Sequence, residues 1–148
     1  MAFPLPRPAP IKLNETASFR QCFDYYLERT GLSETKIADY IRINQPRLNK
    51  IANGTVKNVD IPTLVCICLA LGLNEAEARD LLARRERAFS PANDTHRVYL
   101  ELIRMYSVKE LDYKRLANTP EKLLEEADDY LISKGKKELP IMNLNSKI

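Results

Sequence analysis

Phe19, Phe23, Tyr26 and Leu27 recur at i, i+4, i+7 and i+8, so the spacing predicts one apolar face on a helix over residues 16–30. Ser18 with Gln21 three residues on makes a capping box, and Gly31 supplies the left-handed stop. Ser33 caps a second short helix, with Glu34 in its first turn and Ile37, Ala38 and Ile41 facing inward. Arg42 and Ile43 make a turn, and Asn44 caps a third helix over 45–53. Leu48 and Ile51 face inward there, and Pro46 is tolerated because a first-turn N–H has no helical partner. Asp60 caps a fourth helix, IPTLVCICLALGL, whose apolar residues cover nearly the whole circumference and mark it as the buried centre. Asn74 caps a fifth pattern over 75–89, with Leu81, Leu82 and Phe89 inward. Arg79, Arg84, Arg85 and Arg87 alternate with Glu75, Glu77, Asp80 and Glu86, which reads as a salt-bridged exposed helix.

Ser90-Pro91-Ala92-Asn93-Asp94 is a turn-rich break and a candidate boundary. Beyond it, residues 95–106 carry Val98, Tyr99, Leu102 and Ile103 at helical spacing. Ser107 with Glu110 makes a capping box for a short helix to Ala117. A last helix runs over 121–134, lined by Leu123, Leu124, Ala127, Tyr130 and Leu131 and stopped by Gly135. At the other end, Pro at 4, 6, 8 and 10 makes an extended arm that also carries Arg7 and Lys12. The division expected is a Pro-rich arm at 1–14, a helical domain at 15–89, a helical extension at 90–135 and a loose tail at 136–148. The chain is all-α. An extension this short is marginal on its own, so its apolar stripes need a partner. That partner is the first domain or, as the preferred reading, a second copy.

Net charge is +3, and the surplus lies entirely in residues 1–60, where nine Lys/Arg face six Asp/Glu. A nucleic-acid-binding part with a neutral remainder has that distribution. No apolar run approaches the roughly 20 residues a membrane-spanning helix needs, and the start of the chain lacks the apolar stretch of a secretory signal, so a soluble cytoplasmic protein is expected. Cys22, Cys66 and Cys68 read as reduced core fillers. His96 is the single histidine, without a nucleophile motif or a glycine-rich phosphate loop. The paired carboxylates Glu125-Glu126 and Asp128-Asp129 read as a solvated helix face. No enzyme activity, metal or cofactor is expected.

The stretch from Leu32 to Gly54 carries the function. Small Ala38 lets two helices approach closely, and Ile37, Ile43, Leu48 and Ile51 lock their angle. The second of them then presents Gln45, Arg47, Asn49 and Lys50 as a rigid polar probe. The DNA major groove, about 12 Å wide, accepts one helix; there Gln and Asn can pair with adenine, Arg and Lys with guanine.

Residues from about Phe19 to Leu82 resemble the DNA-binding domain of the Cro/phage-repressor type, the XRE family. The matching residues are Leu32-Ser33, Ile37-Ala38, Ile41, Ile43, Leu48, Ile51, Gly54, Asp60-Ile61, Thr63-Leu64 and Ala70-Leu71-Gly72-Leu73. The resemblance implies a five-helix lambda-repressor-like domain, here followed by about three C-terminal helices. It implies base contacts from Gln45, Asn49 and Lys50, and phosphate contacts around Asn53 and the loop after it, where Lys57 is a candidate. Pro46 occupies a frequent base-reading position, and Arg47 takes over that role. Glu34 stands where the family often has a phosphate-binding Gln and would repel phosphate. Arg42 stands where the family often has Gly; a positive φ would strain it, and its side chain is a phosphate candidate. The resulting expectation is a dimeric, sequence-specific repressor on a palindromic operator. The alternatives are an antitoxin or mobile-element accessory regulator whose C-terminal helices bind a protein, and a helical interaction module that has lost DNA binding.

Overall fold

The computed structural model describes residues 15–107 and 122–141. The Pro-rich arm with Arg7 and Lys12, and the short helix expected up to Ala117, lie outside the described residues. Within them the chain forms seven helices and no strand. These are α1 (Phe19–Thr30), α2 (Glu34–Tyr40), α3 (Gln45–Asn53), α4 (Ile61–Leu71), α5 (Glu75–Ala83), α6 (Asp94–Met105) and α7 (Leu123–Ser133).

The caps read from the sequence close the helix ends. Ser18 and Gln21 form the reciprocal capping box of α1. Ser33, Asn44, Asp60 and Asn74 each accept from the backbone N–H three residues on. Gly31 and Gly54 end α1 and α3 at φ 74° and 85°, a region that costs a side chain about 1 kcal/mol or more.

α4 is the centre. Thr63 through Leu71 are all buried, and α1, α2, α5, α6 and α7 pack around them. Val98, Leu102 and Ile103 of α6 and Leu123, Leu124, Ala127 and Leu131 of α7 join the same core. The partner of the C-terminal stripes is therefore the first domain, through α4. Residues 136–141 of the expected loose tail are described, and Leu139 is buried among them. The three cysteines are free and buried, and burial pushes the Cys66 thiol up to about 12.

One expectation needs correction. α5 ends at Ala83, six residues before the pattern suggested. Glu86 turns left-handed at φ 59°, and the Arg87 N–H closes back on the Leu82 carbonyl. Arg79 and Arg84 do pair with Glu75 and Asp80 one turn back. The other arginines are staples rather than an exposed ion-pair ladder. Arg84 also donates to the Glu15 and Ala17 carbonyls, and Arg87 to the Val59 carbonyl. Arg85 donates to the Ile51, Val56 and Lys57 carbonyls and so closes the end of α3.

His96 joins the two parts at the candidate boundary. Its Nδ1 accepts the Ser90 N–H at 2.9 Å, and its ring stacks on Tyr99 and meets Phe89 edge-on. Accepting requires an unprotonated Nδ1, and burial holds the imidazole pKa below its ordinary value. Below about pH 6.5 the unfolded chain takes a proton that the native joint resists. This contribution to stability is thus complete above that pH and is lost as the pH falls through 6.5 toward the native value. The melting temperature should drop between pH 7.5 and 5.5, and drop less in His96→Gln. Equal drops in the two proteins would remove His96 from the account.

Candidate nucleic-acid interface

The interface begins with the turn that aims α3. Arg42 is left-handed at φ 62°, as its place in the turn required. The Arg42 N–H bonds to the Asp39 carbonyl and the Ile43 N–H to that of Ala38, while Ile43 is buried. A non-glycine residue here costs about 1–2 kcal/mol. The buried contacts of Ile37, Ile43, Leu48 and Ile51 hold the turn in place regardless.

Glu34, at the first position of α2, organises the polar face of α3. Its carboxylate accepts from Gln45 Nε2 at 2.9 Å, Asn49 Nδ2 at 3.2 Å and Arg20 Nη2 at 3.2 Å. A carboxylate can only accept, so both amides must turn their NH2 ends toward it. Asn49 Oδ1 in turn accepts from Asn53 Nδ2 at 2.9 Å, and Asn53 Oδ1 from Arg20 Nη1 at 3.3 Å. Arg20, Glu34, Asn49 and Asn53 thus close a ring that ties α1 to both ends of the α2–α3 unit. Arg20 also pairs with Asp24 and lies over the Phe23 ring. Its cation offsets the Glu34 charge, which is only 15% exposed at the side chain.

The seven residues named from the sequence fall into three groups. Gln45, Asn49 and Asn53 are drawn together by Glu34 and Arg20. Asn49 is engaged at both ends of its amide, whereas Gln45 Oε1 has no protein partner among the described residues. Arg47 and Lys50 are exposed along α3, and Lys57 is exposed on the loop that follows. Arg42 points elsewhere: its Nη2 lies 2.9 Å from Asp128 Oδ2 on α7. The sequence reading missed Arg20, Asp128 and the bracing role of Glu34. A helix-face pattern shows which residues are outward, but not which distant side chain will sit beside them.

α3 is held by an inner apolar face, with Gln45 and Asn49 braced and the cations of Arg47 and Lys50 exposed beside them. Residues 23–81 match the family model described as the Cro/C1-type HTH DNA-binding domain. The matched stretch runs from within α1 to the last turn of α5 and contains the whole α2–turn–α3 unit. The chain therefore carries a helix-turn-helix DNA-binding domain of the Cro/C1 type, the domain of a DNA-binding regulator. No curated protein and no solved structure matches the chain. No helix among the described residues is long and apolar enough to cross a membrane.

Glu34→Ala removes the one acceptor shared by three donors. It should cost about 1–2 kcal/mol in denaturant unfolding. The Gln45 and Asn49 side-chain amide signals should move toward solvent-averaged positions in NMR spectra. Unchanged signals would mean that the ring does not hold these side chains.

Proposed function

We propose that the chain is a sequence-specific transcriptional repressor that enters the major groove of double-stranded DNA with α3. The observation that carries this reading is the braced polar face: Glu34 fixes Gln45 and Asn49 while Arg47 and Lys50 stand exposed beside them. Pre-set side chains lose less freedom on meeting a base edge than free ones do. Gln45, Arg47 and Lys50 read bases from the start of α3. Asn49 shares the Glu34 carboxylate with Gln45 and reads a base where the ring opens to it. Asn53, Lys57 and Arg42 serve the phosphates. Glu34 does not repel DNA in this arrangement, because Arg20 stands against its carboxylate. The repressor acts in the cytoplasm by occupying a promoter.

Two copies occupy a palindromic operator, mirroring its two-fold symmetry. Because α4 already covers the C-terminal stripes, the apolar surface left for contact between copies is small among the described residues. Met105, Ile132 and Ile141 are the large hydrophobic residues exposed among the described residues. Assembly therefore happens on the DNA.

Binding to DNA from the upstream region of its own gene should weaken steeply across a salt series. Arg47→Ala should cost about 1–3 kcal/mol on the specific site. Weak binding that ignores salt, with no loss in this variant, would sink the DNA reading. Light scattering should give a mass near 17.0 kDa for the free chain and two chains per operator duplex. A single chain on a saturated duplex would refute the palindromic arrangement.

A further inference from the structure

Arg42 sits at the entrance to the recognition helix, but its guanidinium is turned onto α7. Nη2 approaches Asp128 Oδ2 at 2.9 Å, close yet poorly aligned, so that neither Nη2 nor Nε completes a hydrogen bond. Asp128 is itself buried, 8% exposed, and its other oxygen accepts the Leu139 N–H at 2.8 Å. On the open flank of Arg42, a groove between α2 and α7 is lined by Lys36, Asp39, Tyr40, Leu124 and Glu125.

These contacts describe a cation that is held but not satisfied. A buried donor without an aligned acceptor leaves its desolvation uncompensated. A phosphate offers several oxygens that match the planar guanidinium fork better than one skewed carboxylate oxygen does. The groove opens on Arg42, with Lys36 as well as Asp39 and Glu125 in its lining. Meanwhile the Asp128 charge neutralises Arg42 in the free protein.

We propose that Asp128 is a positioning residue that sets DNA affinity by holding Arg42 on α7, so that the turn gives this cation to a phosphate only when the pair opens. The proposal rests on the DNA-binding reading above and adds a coupling to it. By reciprocity, whatever loosens the Arg42–Asp128 pair tightens DNA binding, and DNA binding opens that pair.

Asp128→Asn tests this in the full chain. It keeps the side-chain shape and an acceptor for Leu139 while removing the charge. The probe is a random-sequence DNA duplex, titrated over a salt series. The variant should bind several-fold more tightly than wild type at low salt. Its log–log salt slope should be steeper by about 0.9, the increment for one further phosphate. In an Arg42→Ala background the same substitution should change neither quantity. Asp129→Asn removes an equal charge from an exposed neighbour and should leave the slope unchanged. Wild type binding DNA with Asp128→Asn equal or weaker and no steeper would overturn the proposal and leave the DNA reading standing. Neither protein binding at any salt would overturn both.

Wild type alone gives a second measurement, which does not depend on how well the variant folds. Saturating DNA should move the Arg42 Nε–H and Asp128 carboxyl signals in NMR spectra, because the pair that holds them 2.9 Å apart opens. Signals unaltered by DNA would overturn the proposal.

Discussion

A helix that is apolar all round has to be covered all round, and α4 imposes that demand on everything else. From Thr63 to Leu71 every residue is buried. Fully burying a large aliphatic side chain contributes about 1.5–3 kcal/mol, so any uncovered face would forfeit several such terms. α1, α2 and α5 cover part of the circumference, and α6 and α7 cover much of the rest. The C-terminal helices therefore complete the first domain's core instead of forming a layer of their own. Their docking is also what brings Asp128 to the turn ahead of α3.

Packing that many short helices around one axis leaves polar seams, and arginine closes them. Arg29 takes Glu77 in a two-pronged contact at 2.8 and 2.9 Å and lies over Tyr26, tying α1 to the capping box of α5. Arg84, Arg85 and Arg87 reach the carbonyls of the segment before α1, the end of α3 and the following loop. The planar guanidinium satisfies several carbonyls at once, which a lysine could not do with the same geometry. Alternating signs along 75–87 suggested ion pairs within one helix, because spacing reports only neighbours on the same helix. Early termination of α5 turned all three of those arginines toward other elements.

The same contrast runs through the interface. Caps, inner face and turn of the α2–α3 unit were all legible, including the left-handed Arg42. Glu34 was legible as a first-turn acid that disfavours phosphate, yet its working partners were not. Gln45 and Asn49 stand 11 and 15 residues from it, and Arg20 14 residues away on another helix. What looked like a departure from the family pattern is, in the folded chain, the acceptor that orders the outward amides.

The sequence by itself determined the helices, their caps and the Cro/C1-type frame, because caps and apolar periods act over three or four residues and survive any packing arrangement. Only the tertiary structure decided that the C-terminal stripes cover α4, that arginines bind carbonyls across seams, and that Arg42 faces Asp128. Those outcomes depend on which distant groups the core brings within about 3 Å of each other, and hydrogen bonds and ion pairs form only at that range.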